Sequence, residues 1–273
     1  MLKVERLRVE KYLNDEVEVK GSIHLSLLDP EKLRLAEAAR LARIIEEAGS
    51  SAIMVGGSLN VNEGAMDEAI KVIKENCSLP VIIFPSNVNT ISRYADAIWF
   101  MSLLNSMNPY FIIGAQVQGA AIVKKYGLEA LPMGYIIVGE GGTVSIIGQA
   151  RPLPPHKAEV IALYALAAQY LGMRFVYIEG GSGTPEPVPP STVRVVRDYV
   201  DVKLIVGGGI RRRDQAEALA EAGADIIVTG TVLEEEDVER KLRDIVGGVL
   251  AGGKRRKDSR RSPSLDTSDN KPL

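Results

Sequence analysis

One cysteine, two histidines and one tryptophan in 273 residues exclude several kinds of chemistry at once. Cys77 alone permits no internal disulfide and no cysteine-based zinc site. His24 and His156 are too scattered to form a metal motif. No apolar run reaches the roughly 18 residues of a membrane span, and the opening stretch, charged throughout, is not expected to be a signal peptide. No G-x-G-x-x-G follows the first apolar segment, which argues against a nucleotide-binding open sheet. No DD-x-x-D run is present, so the helical type of prenyl synthase is excluded as well. What is present is 46% hydrophobic residues and 26 glycines, ample for a buried core with many tight turns. A cytoplasmic globular protein is expected.

The near-neutral balance of −2 hides an asymmetry. Seven basic and three acidic residues fall between Lys254 and Leu273, so 26 of the 33 basic and 32 of the 35 acidic residues lie upstream. The C-terminal segment is polar, with Ser, Asp and two prolines, and cannot bury enough surface to offset its ordering entropy. The expected organisation is one domain over 1–251 and a basic, disordered tail over 252–273. A charged tail more often faces solvent than nucleic acid, and no nucleic-acid partner is expected.

Short apolar runs alternate with longer amphipathic ones, the pattern of βα units around a parallel sheet. Strands are predicted near 22–27, 52–55, 81–84, 97–100, 134–138, 175–178, 203–206 and 225–228. Helices are predicted near 31–48, 63–76, 109–125, 157–170, 192–199, 213–222 and 235–250. Eight strands in about 250 residues suit an α/β fold of the (β/α)8 TIM-barrel type better than a doubly wound sheet. The segment NVNTISRYA, between Ser86 and Asp96, is too short for a helix with two connections. The third helix is therefore expected to be absent or replaced by an extended segment.

Barrel active sites lie at the C-terminal ends of strands, where this chain has a series of glycine turns. They are Gly56-Gly57-Ser58, Glu179-Gly180-Gly181-Ser182-Gly183, Gly207-Gly208-Gly209 and Gly230-Thr231. Glycine lets backbone N–H groups converge on an anion, and turns after strands seven and eight are where barrels commonly hold phosphate. A phosphorylated small substrate is the first functional expectation. Asp29 ends the first strand near Ser58, a carboxylate and hydroxyl suited to Mg2+, which uses few protein ligands. Asp29 equally suits a helix N-cap ahead of Pro30. Glu179 ends the apolar strand FVYIE, and a carboxylate there is costly to bury without a partner or a task. It could position or deprotonate a substrate hydroxyl.

In order, HLSLLDP, MVGGS, FPSN, LLNSMNPYFIIGAQ, YIEGGSGTPEPVP, VGGGIR and VTGT resemble the geranylgeranylglyceryl phosphate synthases of archaea, relatives of the bacterial heptaprenylglyceryl phosphate synthases. The resemblance spans roughly His24 to Glu235. It implies a modified TIM barrel and the joining of sn-glycerol 1-phosphate to a prenyl diphosphate, the first ether bond of archaeal membrane lipids. It further implies that Asp29 and Ser58 contribute to a Mg2+ site. Tyr177, Ile178, Glu179, Gly180, Gly181, Ser182 and Gly183 would wrap glycerol 1-phosphate, with Glu179 and Tyr177 in the catalytic role. Gly208, Gly209, Gly230 and Thr231 would hold the phosphate. Gly180 stands where the resemblance leads one to expect Ala, a departure that leaves the backbone donors in place.

The prenyl chain needs an apolar slot, expected from the segment replacing helix three together with AIWFMSLL. Trp99 and Phe100 alternate in facing, so at most one points inward. A phosphosugar isomerase or aldolase would call for a strand-end Lys or a carboxylate pair, neither of which is convincing here. A non-catalytic phosphate-binding barrel would leave Asp29 and Glu179 unexplained. The resemblance also implies a homo-oligomer, dimer or hexamer, and lipidic substrates make transient contact with a membrane surface reasonable.

Overall fold

The computed structural model describes residues 9–32, 34–57 and 63–261. Among these, eight strands form a closed, wholly parallel barrel in sequence order. They are β1 (Ile23–Leu28), β2 (Ala52–Val55), β3 (Val81–Ile83), β4 (Ala97–Leu103), β5 (Glu129–Ile137), β6 (Phe175–Glu179), β7 (Lys203–Gly207) and β8 (Ile226–Thr229). β8 closes onto β1 with Ser26 opposite Thr229. The helices are α1 (Val9–Lys20), α2 (Leu35–Glu47), α3 (Glu63–Asn76), α4 (Ala115–Tyr126) and α5 (Gly142–Ile147). They continue with α6 (Ala158–Tyr170), α7 (Pro190–Tyr199), α8 (Arg213–Ala222) and α9 (Val238–Arg261). None among the described residues is long and apolar enough to cross a membrane.

Strand alternation divides the apolar side chains into two layers. Leu25, Met54, Trp99, Met133, Phe175, Ile205 and Ile226 fill the barrel interior. Leu28, Ile53, Ile98, Ile178, Val206 and Ile227 face outward, onto helix residues such as Leu41, Ile70, Ile161 and Leu219. Being apolar on both faces is why these strands read as unbroken hydrophobic runs. Between β3 and β4 there is only a 3-10 turn, Val88–Thr90, so the expected gap at the third helix is real. From it the chain reaches β4 through turns and bends over 91–96, with Ile91 and Ala95 buried in the outer layer.

Two helices were not anticipated. α5 is a short turn of helix after β5. α1 sends Val9, Leu13 and Val17 into the interior cluster, closing the N-terminal end of the barrel. Its first amides donate to a distant carboxylate: Glu129 accepts from Val9 N at 2.5 Å and Glu10 N at 3.2 Å, satisfying orphan N–H groups at a helix start.

The C-terminal boundary at residue 251 also needs correction. α9 continues to Arg261, and residues 252–261 are helical. Arg256 is buried, donating to Gly21 O and, at 2.9 Å, to Asp225 Oδ1. The other Asp225 oxygen accepts from Arg197 at 2.8 Å. Lys257 Nζ reaches the carbonyls of Glu18 and Val19 at 2.7 and 3.0 Å, at the end of α1. Three of the charges that made this segment look solvated are thus engaged: Arg256 and Lys257 at the barrel floor and Arg255 with Glu217 at 2.6 Å. Residues 262–273 lie outside the described residues.

Candidate active site

At the C-terminal ends of the strands lies a cavity of about 380 Å³. Its polar end is lined by Asp29, Lys32, Glu179, Ser182, Gly230, Thr231 and Glu234. Its apolar end includes Val88, Ile91, Ile98, Phe100, Gly119 and Val123, between the outer face of β4, the 3-10 turn and α4. The missing helix is what opens that end: a full helix after β3 would cover the ground the slot occupies. Trp99 points instead into the barrel, fully buried, with its ring 5.0 Å from that of Phe175. Phe100, on the opposite face, is the member of the pair that belongs to the outer layer.

Glu179 stands where the two ends meet. Its side chain is 7% exposed, and Oε1 accepts the Gly181 N–H at 2.6 Å. The hydroxyls of Tyr177 and Tyr135 also donate to the carboxylate. Burial pushes its pKa above the ordinary carboxylate value, and the three hydrogen bonds only partly pull it back. Both tyrosines are driven far above their usual range, by burial first and then by the neighbouring carboxylate, so they stay protonated donors. Their rings pack 5.2 Å apart, and Phe84 lies 5.5 Å from Tyr135 and 5.9 Å from Tyr177. These three rings pack together beside the carboxylate, Phe84 and Tyr135 forming part of the cavity wall.

The glycine-rich turns divide their work differently from the sequence expectation. A Cβ at Gly207 would overlap the Tyr177 hydroxyl, and one at Gly208 would come within 2.6 Å of Glu179 Oε1. Those two glycines make room for the tyrosine–carboxylate group. Gly208 and Gly209 both hold positive φ, +87° and +72°. The Gly180 N–H is spent on Gly207 O at 2.9 Å and the Gly181 N–H on Glu179, so neither amide is available to an anion. Ile178 points into the outer layer and is fully buried, offering the cavity no side chain. Tyr177 does not line the cavity and reaches it only through its hydrogen bond to Glu179. Of the predicted residues, Asp29, Glu179, Ser182, Gly230 and Thr231 line the cavity together, while Tyr177, Ile178, Gly180, Gly181, Gly183, Gly208 and Gly209 stand around or behind it.

Asp29 is half-buried, and its Oδ1 accepts the Glu31 N–H at 3.1 Å, a local Asx-type turn. It is not an N-cap, because α2 begins only at Leu35. Its pKa is raised, chiefly by burial and also by Glu234, against the opposing Glu31 amide and Lys32. Lys32 meets Glu234 at 2.7 Å across the mouth. No three His, Cys, Asp or Glu side chains converge on a metal-sized centre among the described residues. Ser58 lies outside the described residues. Tyr135 was missed in the sequence, although it sits opposite Tyr177 in the β5–β6 register. Strand alternation places it inward once that register is known. Lys32 and Glu234 carry no local signal, being 202 residues apart.

A (β/α)8 barrel whose polar pocket and apolar slot meet at one buried carboxylate defines an enzyme that brings a small polar molecule to an apolar one. Comparison with known proteins makes this specific. The profile of the PcrB family matches residues 14–249, and the chain belongs to that family, among its geranylgeranylglyceryl phosphate synthases; it is a prenyltransferase. It is 56% identical to the geranylgeranylglyceryl phosphate synthase of Thermofilum pendens over 245 residues, 90% of this chain and 94% of the other. The Pyrococcus abyssi enzyme of that name is 54% identical over 246 residues, 89% and 98% of the two chains. Among solved structures, (S)-3-O-geranylgeranylglyceryl phosphate synthase from Thermoplasma acidophilum, in complex with sn-glycerol-1-phosphate, superposes with a TM-score of 0.87 at 43% identity, covering 90% of this chain and 99% of that one. A thiamine phosphate pyrophosphorylase from Pyrococcus furiosus, at 14% identity and TM-score 0.54, shares the barrel fold alone.

Proposed function

We propose that the protein joins geranylgeranyl diphosphate to the 3-hydroxyl of sn-glycerol 1-phosphate in a Mg2+-dependent reaction, releasing diphosphate and forming the first ether bond of archaeal membrane lipids. The observation that carries this is Glu179, buried at the junction of a polar pocket and an apolar slot. The glycerol 1-phosphate bound to the Thermoplasma acidophilum relative supports the choice of acceptor. In the reaction the allylic C1–O bond breaks, its electrons leaving with diphosphate, and a new C1–O bond forms to the glycerol oxygen.

Glu179 would hold the acceptor hydroxyl against C1 and take its proton, a role suited to a carboxylate made more basic by burial. Tyr135, Tyr177 and the Gly181 amide fix the carboxylate, so that little reorganisation is needed as charge moves. Ser182, Gly230 and Thr231 border the polar end and would contact the phosphate. The donor chemistry at Asp29 fits Mg2+: a half-buried carboxylate on the cavity wall beside open positions that water or diphosphate oxygens would complete. Bound there, with Ser58 as the expected second ligand, the ion would stabilise charge on the leaving diphosphate. The slot past Phe100 and Gly119 would take the prenyl chain.

We also read the protein as a cytoplasmic homo-oligomer, dimer or hexamer, touching membrane surfaces only transiently. Exposed Met107, Ile113, Val117 and Ile146, with Leu163 and Leu171 around α6, support the oligomer; light scattering tests it. The reaction is tested with labelled glycerol 1-phosphate, geranylgeranyl diphosphate and Mg2+. A butanol-extractable labelled product is expected, and its absence with folded protein overturns the reading. Asp29→Ala should cut product at least about a hundredfold at saturating Mg2+; unchanged activity would refute the metal assignment.

A further inference from the structure

His24 is a buried titratable group for which the mechanism above has no use and which no charged partner holds. β1 turns Ile23 and Leu25 into the barrel, so His24 and Ser26 lie on the outer face, between sheet and helices. His24 is 1% exposed, with Ser26, Ser50 and Thr229 buried around it. Its Nδ1 meets Ser50 Oγ at 2.8 Å and its Nε2 meets Thr229 Oγ1 at 2.9 Å. Ser26 Oγ continues the chain to Ser50 at 3.3 Å. A neutral imidazole offers one donor and one acceptor, and hydroxyls can answer either, so both ring nitrogens are satisfied. Burial keeps the ring neutral, with its pKa lowered to about 3.

Thr229 is the last residue of β8, and the next two residues, Gly230 and Thr231, line the polar end of the cavity. Beyond the turn the chain is held by packing, with Val232 and Leu233 buried in the outer layer and Glu234 paired with Lys32. Gly230 O accepts from Leu233 N at 2.9 Å, and a Cβ on Gly230 would lie 3.3 Å from Leu27 O. On the strand side the turn is anchored at Thr229, which pairs with Ser26 of β1 and bonds His24, so the direction in which the turn leaves β8 depends on how Thr229 is held. Core packing alone does not call for this group: a valine would fill the Thr229 site without a bond, and apolar residues would fill the His24 and Ser50 sites.

We propose that His24 is a positioning residue for the acceptor phosphate, acting through Thr229 to orient the Gly230–Thr231 turn. This rests on the reading of that turn as the phosphate-holding end of the cavity.

Steady-state kinetics on the full chain, each substrate varied in turn, test it. Thr229→Val and His24→Leu should each raise KM for glycerol 1-phosphate roughly five- to tenfold, the loss of one buried neutral hydrogen bond. KM for geranylgeranyl diphosphate and kcat should stay within about twofold, and Thr229→Ser should return the acceptor KM close to wild type. The double variant should be no worse than either single one, because both cut the same link. A folded Thr229→Val with unchanged acceptor KM overturns the proposal, as does an equal rise in both KM values or additivity in the double variant. If His24→Leu does not fold, Thr229→Val and Thr229→Ser decide. Gly230→Ala separates the underlying reading. If it leaves the acceptor KM untouched, the turn is not the phosphate pocket and both ideas fall. If it raises that KM while Thr229→Val does not, only the role of His24 falls.

Discussion

Glu179 shows how a single side chain acquires a function from its surroundings. A carboxylate in water has little reason to accept a hydroxyl proton at neutral pH. Here burial raises its pKa, while Gly181, Tyr177 and Tyr135 donate to its charged form and limit the rise. In the proposed role the active form is the deprotonated one, so the rate should fall as pH drops through a pKa above the usual carboxylate range. Tyr135→Phe removes a bond to the charged form and should move that acid limb higher, by about one pH unit; a pH–kcat profile checks it. Glu179→Gln should lower kcat by roughly 100-fold or more and abolish the limb. A rate within a few-fold of wild type would end the general-base role. Glu179 and Asp29 were legible in the sequence because charged residues at the ends of apolar strands are conspicuous. Tyr135 was not, because a tyrosine in a buried strand looks like packing until the β5–β6 register puts it opposite Tyr177.

At the scale of elements, one helix is missing and another is longer than expected. The short β3–β4 connection, visible by counting residues, leaves a 3-10 turn and with it the apolar slot. Gly119 on α4 faces that slot, where an added Cβ would sit 3.3 Å from Ile91 Cδ1. Gly119→Leu should therefore block long chains, shifting preference from geranylgeranyl to geranyl diphosphate at least about tenfold in competition. Leucine's better helix propensity is set against this tight contact, so denaturant unfolding should accompany the assay to show the variant folded. α9 is the opposite case. Its last turns are basic and apolar-poor, the composition of a solvated tail, yet Arg256 is buried against Asp225 and Gly21. Arg256→Ala should lower unfolding free energy by about 3 kcal/mol, toward the low end for breaking a buried pair because Arg197 still serves Asp225. Denaturant unfolding measures this; a midpoint unchanged from wild type would refute the clamp.

The whole molecule carries a formal charge of −2 and is proposed to bind two anionic substrates. No overall positive field draws them in, so recognition has to be local, through turn amides, hydroxyls and a recruited cation. Raising ionic strength from about 50 to 300 mM should therefore change kcat/KM less than about threefold, because there is no long-range attraction to screen. A tenfold fall would point to electrostatic steering instead.

By itself, the sequence determined the barrel, the rhythm of its strands and helices, the break in the third interval and the two carboxylates at strand ends. Each of these follows from local periodicity, glycine turns and chain length, which short segments report without their partners. Tertiary structure alone decided which glycines make room for Tyr177 and Glu179, which amides are already engaged, and that a basic C-terminal stretch closes the barrel floor. Those depend on contacts between segments far apart in the chain: Gly207 with Tyr177, Lys32 with Glu234, Arg256 with Asp225. A charge or a glycine reads the same in sequence whether it faces water or a partner; only closure of the barrel brings the partner to it.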